Sequence, residues 1–479
     1  MPEANVFFLP IAAFCQREVV SCPPDEALVN AVGVMRKKNI SSIVVTADEA
    51  PVGIVTDRDL RNKVVSRGVD PNALSVAEIM SSPLIVIGED ELLFEALYRM
   101  SRHGIHRLGV VDAGGRLVGI LTDSDILRLQ TRSPHKMVRD IELAESLDDL
   151  RRLRTRINEL VVHLTGTGVK TPDLVRLIAQ LNDQLLLRLI ALLRRDRFAD
   201  LPSEFAFIVL GSEGRHEQTL ATDQDNAIVY ADHLSGDQVR QLEEFSQVLI
   251  DALIETGVPP CPGGIMAKNP PWRRSLRGWQ QELDSWLGNI SSENILKGSM
   301  FFDLRTLYGD PSLEKALKEH IFGNIRKNEV FLARAALNVQ GFRPPLGWFG
   351  RIKTETKGPH QGLVDVKKAG IFAITEGVKI LSLQAGILDG GTRDRINALV
   401  DAGVLEPRMA GDLEASFNYL VFQRLRGQVA AISRGETPTN HISLEELNRM
   451  ERGRFRLALE EVKKFLESLR LRFRVDLLR

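Results

Sequence analysis

The sequence predicts α/β units followed by helices, and three observations carry that prediction. First, GIVTDRDL at 53–60 recurs as GILTDSDIL at 119–127, so one small α/β unit occurs twice. Second, residues 205–230 read as buried strand, tight turn, short helix and second strand, the outline of a separate α/β head. Third, helical periodicity runs through 135–197 and through most of the chain after Phe331. At roughly 150 residues per domain, 479 residues leave room for about three such parts, each with its own core.

Composition removes several classes. Lys and Arg total 62 against 63 Asp and Glu, a balance that argues against a dedicated nucleic-acid binder, which carries a basic excess. Cys15, Cys22 and Cys261 are too scattered for a disulfide framework or a four-ligand zinc site, and read as idle thiols in a reducing compartment. The apolar stretch at 6–14 is short, broken by Pro10 and preceded by Glu3, which makes a poor signal peptide. The run at 185–193 is interrupted by Arg188 and too short to span a bilayer. The expectation is a cytoplasmic protein with no membrane segment.

The repeat extends upstream of its core. NISSIVV at 39–45 matches GIHRLGVV at 104–111, and each copy reads helix, strand, turn, strand, helix. The turns are ADEAP and DAGGR, and the second strand of each copy runs into a Thr-x-x-Asp pair, Thr56 with Asp59 and Thr122 with Asp125. Thr followed by an acid in the first turn is a helix N-cap pattern, and capping alone would account for either pair. Two copies at matching places favour a further role. On these residues the segment resembles a tandem pair of CBS domains over 10–131, divided at about 10–70 and 75–131. The resemblance implies that Thr56 and Thr122 approach the phosphate or ribose of an adenine nucleotide, and that Asp59 and Asp125 hold its ribose hydroxyls. It also implies a homodimer through the CBS pair, although some CBS pairs bind no ligand.

From 135 to 200 the chain reads as a helical connector. IELAESLDDLRRLRTRINELVVHL and LVRLIAQLNDQLLLRLIALLRR are amphipathic, and TGTGVKTPD between them is a turn. A helical hairpin between the repeat and the head is placed to carry a conformational signal.

The chemistry centres on FAFIVLGSEGRHEQTLATDQDNAIVY, within a head expected over 201–325. Asp223 and Asp225 stand two apart where the second strand begins, so both carboxylates project from one face. Paired carboxylates call for a cation, and Mg²⁺ or Mn²⁺ is the hard ion that prefers oxygen. Gly211 lets the backbone approach a phosphate, and the Ser212 hydroxyl and the following helix N-terminus can donate to it. Either motif alone reads as an ordinary turn or loop. Gly-Ser, ten residues, then Asp-x-Asp between two apolar strands resembles the nucleotidyltransferase superfamily with a polymerase-β-like head.

That superfamily places a third carboxylate on a later strand. Asp303, in a strand-like run at 300–304, is the candidate, the less favoured alternative being a strand-end acid paired with Arg305. Arg215 and Arg305 would neutralise triphosphate charge or serve as salt-bridge arginines. The wording GSEGRHEQTLATDQDNA, GGIMAKNPPWRRSLRGWQ and FFDLRTLYGD resembles one branch most closely, a nucleotidyltransferase family that joins CBS pairs to a head related to PII uridylyltransferase. RPPLGWFG, GLVDVKKAGI and the helices from Asp412 onward resemble that family's C-terminal substrate-binding domain, a helical bundle expected over 330–475 with four to six helices. Among its charges Lys367, Lys368, Arg424 and Arg426 are candidates to line a cleft, although such charges commonly sit on solvated helix faces.

None of the nine histidines precedes an Asp, so the phosphohydrolase signature of complete PII uridylyltransferases is missing and any transfer would be one-way or reversed elsewhere. His216 reads as a solvated first-turn residue. Trp272, Trp279 and Trp286, seven residues apart, read as helix packing.

The resemblance implies a metal-dependent enzyme that transfers a nucleoside monophosphate, UMP among the candidates, from an NTP to a hydroxyl, on a PII-like or other acceptor protein. Asp223, Asp225 and Asp303 would hold the metals, with Gly211, Ser212 and Arg215 on the phosphates. An adenine nucleotide at the CBS pair would regulate it. The alternative is a catalytically silent nucleotide-sensing signal-transduction protein whose head binds without transferring.

Overall fold

A computed structural model describes residues 10–478 apart from 14, 16, 18, 48–49, 124, 126–133, 166–168, 327 and 348–349. The helix expected to close the second repeat copy, most of the 6–14 run, part of the connector turn and part of RPPLGWFG therefore lie outside the described residues. Contacts divide the chain into two compact units, Met1–Arg139 and Asp140–Arg479.

In the first unit, strand β1 (Ser21–Cys22), the helix Leu28–Lys38, β2 (Ser42–Ala47) and β3 (Ala50–Thr56) form a three-stranded sheet in the order β1-β2-β3. Then β4 (Val86–Gly88), the helix Leu93–His103, β5 (Arg107–Val111) and β6 (Leu117–Thr122) repeat it in the order β4-β5-β6. Each sheet has one parallel and one antiparallel pairing, in the same places. Both helices stop on a left-handed residue at the same point of the repeat, Asn39 and Gly104, two of the residue types that tolerate that conformation. Ile43, Val45 and Val55 pack on Leu28, Ala31 and Met35, whereas Val44 and Ile54 point the other way and pack with Leu84, Val86, Leu117 and Ile120 of the second copy. Burial on both faces explains why these strands read as continuous apolar runs.

The second unit is built on β7 (Phe205–Val209), β8 (Asn226–Tyr230), β9 (Arg273–Ser275) and β10 (Arg305–Gly309), in the order β10-β7-β8-β9. Every residue of β7 is buried, as expected of a central strand. The connector helices, Leu147–Thr165 and Thr171–Asp196, pack on each other and on the long C-terminal helix Pro407–Ser433, so the hairpin is built into this unit. Trp272, Trp279 and Trp286 cluster with Phe301, and the Trp279 indole N–H donates to the Ile228 carbonyl at 2.9 Å. They are packing residues.

The strand expected at 300–304 is not formed. The helix Ser292–Phe301 runs to its end there, Phe302 N–H still donates to Gly298 in helical fashion, and β10 begins only at Arg305. Phe301 and Phe302 are apolar because both are fully buried, and a short apolar run does not distinguish a buried helix end from a strand. Beyond Asn328, the helices Glu329–Val339, Phe372–Ala385, Thr392–Asp401, Pro407–Ser433 and Arg449–Arg472 form the C-terminal bundle. Two short strands, β11 (Leu363–Asp365) and β12 (His441–Ser443), pair antiparallel beside it and had no signal in the sequence.

Candidate active site

The site begins where β7 ends. Leu210 N–H donates to the Asp225 carbonyl at 2.9 Å, which lays the Gly-Ser turn beside the start of β8. Gly211 has φ +54° and opens the short helix Gly211–Gly214; a Cβ there would lie 3.3 Å from Asp225 Oδ2 and 3.2 Å from Met300, so turn and carboxylate are in contact. Ser212 is half-buried beside it.

Asp223 and Asp225 face one way, and the alternating residues Gln224 and Asn226 face the other. A loop at 258–267 runs along this segment: Gln224 N–H donates to Pro259, Asn226 N–H to Ile265, and Ala267 N–H to Asn226 Oδ1. It brings Cys261 to the carboxylates, and the donor atoms of Asp223, Asp225 and Cys261 all lie within 4.8 Å of one another. Asp225 is 8% exposed and its Oδ1 has no hydrogen-bond partner. Burial, reinforced by Asp223, raises its carboxyl to about 6 even though the Cys261 thiol bonds to it. Burial and the Asp225 charge together push that thiol up to about 12.

Two cations from the C-terminal part of the unit oppose these acids. Burial, and then the neighbouring Arg424, lower the Lys367 ammonium, while Asp223 and Asp225 draw it back up. Arg424 is buried in the helix Pro407–Ser433, donates to Asn440 Oδ1 at 2.7 Å and to the Ala221 carbonyl at 3.2 Å, and is pushed down to about 10 by burial against the pull of Asp223. The other two expected cleft cations are elsewhere. Lys368 is exposed and lies 3.5 Å from Asp365, and Arg426 pairs with Glu451 at 2.5 Å.

Asp303 sits between the helix Ser292–Phe301 and β10, with both oxygens engaged. Oδ1 meets Arg395 at 2.6 Å, and Oδ2 meets Lys379 at 2.7 Å and Arg215 at 2.5 Å. Burial works against its charge, yet these three cations hold its carboxyl well below the usual range. Asp303 does not join the Asp223, Asp225 and Cys261 donor group. Arg215 correspondingly turns inward, bonded to Glu217 and Asp303, and these anions keep it charged despite its burial. Arg305 donates to Asp183 at 2.9 Å and to the Glu213 carbonyl at 3.0 Å, which is a structural role. His216, with φ +54°, lies 3.7 Å from the Asp183 carboxylate.

Behind the carboxylates, Glu213 is buried and lines a small cavity with Arg154, Gln218, Gln224 and Asn226. Burial and the charge of Asp183 raise its carboxyl to about 8. A second donor group, Glu355, Asp365 and His441, lies at the β11–β12 pair.

Sequence reasoning missed Cys261, Lys379 and Arg395. Lys379 left one trace, as a lone cation in the apolar run FAITEGVKILSL.

In the first unit the two Thr-x-x-Asp pairs have the same geometry. The Thr56 N–H and hydroxyl donate to Asp59 Oδ2 at 3.0 and 2.6 Å, and Asp59 N–H returns a bond to the Thr56 hydroxyl at 3.2 Å. Thr122 and Asp125 repeat all three distances. Asp59 is held further, since Ser81 and Lys63 both reach its Oδ1 at 2.8 Å. Burial opposes its charge, but the bonds from Lys63, Thr56 and Ser81 prevail and hold its carboxyl low.

Family models match three parts of the chain: two CBS domains at 11–66 and 76–132, "Putative nucleotidyltransferase DUF294" at 155–293, and "Putative nucleotidyltransferase substrate binding domain" at 329–473. Among curated proteins, an uncharacterized protein of Methanopyrus kandleri is 39% identical over 121 residues, 25% of this chain and 62% of its own length. The inosine-5'-monophosphate dehydrogenase of Methanocaldococcus jannaschii is 32% identical over 113 residues, 23% of this chain and 22% of its own. Hypoxic response protein 1 of Mycobacterium tuberculosis is 32% identical over 104 residues, 22% of this chain and 72% of its own. Among solved structures, a CBS domain protein of Pyrobaculum aerophilum complexed with AMP is 27% identical and covers 24% of this chain and 89% of its own, at a TM-score of 0.23. No helix among the described residues is long and apolar enough to cross a membrane. With its three matched parts in this order, the chain belongs to the family that joins a CBS domain pair to the DUF294 nucleotidyltransferase domain and its substrate-binding domain.

Proposed function

We propose that the second unit transfers a nucleoside monophosphate, UMP by the kinship of its head, from an NTP to a hydroxyl on an acceptor protein of PII-like or other kind. One observation carries the reading: Asp223 and Asp225 lie beside the Gly211-Ser212 turn, with Lys367 and Arg424 opposite them. The residues fit a divalent cation, because the buried, unpartnered Asp225 Oδ1 is an acceptor that a metal would satisfy. When bound there, Mg²⁺ or Mn²⁺ supplies charge neutralisation for the NTP phosphates and polarises the reacting phosphoryl oxygen. Gly211 lets the backbone close on a phosphate, and Ser212 and the following N–H groups donate to it. Lys367 and Arg424 reach the same space from the far side and offset the triphosphate charge.

Asp303 takes a positioning role in this reading instead of holding metal. By gathering Arg215 of the head with Lys379 and Arg395 of the bundle, it fixes the two walls that carry the acids and the cations. A silent head would gain nothing from the Asp225 carboxyl, whose burial costs stability unless a cation offsets it.

The CBS pair, as a homodimer, is the regulatory part. Thr56 with Asp59 and Thr122 with Asp125 offer hydroxyl and carboxylate groups suited to the ribose and phosphate of an adenine nucleotide. Such a ligand changes transfer only by its differential affinity for active and inactive arrangements, typically about 1–3 kcal/mol. Release of pyrophosphate from each NTP, with Mg²⁺ or Mn²⁺ and host lysate as acceptor, tests the reading. Release that is lost in Asp223→Asn supports it, and no release with any NTP contradicts it.

A further inference from the structure

We propose that Cys261 is the third protein ligand of the Asp223–Asp225 cation site, which makes it a mixed carboxylate and thiolate site suited to a borderline-soft divalent ion such as Co²⁺ or Zn²⁺. This rests on the reading of Asp223 and Asp225 as a metal site and adds to it the identity of the third ligand and the class of ion. The donor atoms of all three residues already lie within 4.8 Å of one another. Asp225 is more than nine-tenths buried, and its Oδ1 has no hydrogen-bond partner, so the carboxylate keeps an open acceptor. Asp303, the carboxylate that sequence pattern would put third, has both oxygens committed to Arg215, Lys379 and Arg395.

The backbone fixes the sulfur in place. The loop at 258–267 is tied to the aspartate segment by the Gln224–Pro260 bridge and the Asn226 bonds, on either side of Cys261. Gly264 N–H donates to the Cys261 carbonyl at 3.0 Å, and a Cβ on Gly263 would lie 3.6 Å from the sulfur. A ligand on a braced turn next to the two acids meets the geometric demand for a third donor. On binding, the S–H bond breaks, the sulfur–metal bond forms, and the proton leaves to solvent. Sulfur in the coordination sphere shifts preference away from Mg²⁺, which is hard and oxygen-seeking, toward ions that accept thiolate.

The test is Co²⁺ titration of the full-length protein, read by absorption and by equilibrium dialysis, in wild type, Cys261→Ser, Cys261→Ala and Asp225→Asn. The expected result is a near-ultraviolet sulfur-to-cobalt band in wild type that is absent from both Cys261 variants and from Asp225→Asn. Co²⁺ affinity by dialysis should fall about tenfold or more in the Cys261 variants, since losing a ligand should cost no less than losing a group that orients one. Thermal melts of the metal-free variants control for folding. Co²⁺ that binds in an Asp225-dependent way without the band would overturn the Cys261 assignment and leave the metal reading intact. A band that survives in Cys261→Ser comes from Cys15 or Cys22 and also overturns it. No Asp225-dependent Co²⁺ binding at all would sink the metal reading itself, and this proposal with it.

Discussion

The carbonyl oxygen of Asp303 lies so close over Gly214 that a Cβ on that glycine would sit 1.7 Å from it. The short helix after the Gly-Ser turn therefore docks directly on the residue that gathers Arg215, Lys379 and Arg395, and the turn inherits its position from that docking. Asp303→Asn leaves three buried cations without their full counter-charge and should destabilise the second unit by about 3–5 kcal/mol. Gly214→Ala should cost a comparable amount through forced backbone displacement. Thermal denaturation measures both. Mn²⁺ titration of Asp303→Asn at a temperature where it is folded should give affinity close to wild type, whereas a large loss would mark Asp303 as a metal ligand.

Lys367 and Lys368 are neighbours in sequence with different environments, one sensing Asp223 and Asp225 and one exposed beside Asp365. Lys367→Ala should weaken NTP binding roughly tenfold, about 1.4 kcal/mol. Lys368→Ala should leave it within about twofold. Fluorescent NTP analogue titration of the two variants checks this, and equal effects would disprove the placement of the cleft.

The Glu213 carboxyl, raised from 4.5 to about 8, gives the metal-free protein a distinctive pH dependence. The folded state keeps a proton that the unfolded chain gives up near pH 4.5, so between those two values the folded state binds more protons and stability falls as pH rises. The shift corresponds to at most about 5 kcal/mol across that window. Glu213→Gln should flatten this decline and melt above wild type at pH 9, whereas parallel Tm-against-pH curves for the two proteins would refute it. Asp303, with its carboxyl held low, acts in the opposite sense: its contribution is present at neutral pH and is lost only as acid protonates it.

At the CBS pair, Asp59→Ala and Asp125→Ala each remove a capping carboxylate, a loss of about 1 kcal/mol in stability. If the two aspartates also hold a nucleotide ribose, each variant should in addition lose about tenfold or more in AMP or ATP affinity by calorimetry. A lowered Tm with unchanged affinity would reduce both residues to caps.

What the sequence disclosed followed the range of each interaction. Gly211-Ser212 and Asp223-x-Asp225 are local patterns between two buried strands, so spacing alone exposed them, and the repeated strand and cap pattern exposed the paired sheets of the first unit in the same way. The partners of Asp303 stand 76 to 92 residues away in the sequence, and Lys379 and Arg395 lie on helices whose faces toward the head no periodicity reveals. Cys261 comes to Asp225 through a loop pairing of irregular backbone, and PPCPGG reads only as a turn. The misread strand at 300–304 has the same origin, because burial of Phe301 and Phe302 leaves an apolar run whatever the backbone does.

The central claim is that Asp223 and Asp225 support nucleotidyl transfer. Its most direct test is incubation of the full-length protein with each NTP radiolabelled on the α-phosphate, Mg²⁺ or Mn²⁺, host lysate, and AMP, ADP or ATP as effector. The account predicts a labelled macromolecular product from one preferred NTP, absent with Asp223→Asn or Asp225→Asn and altered in amount by an adenine nucleotide. Label that persists in both variants, or no label and no pyrophosphate release with any NTP, would contradict it.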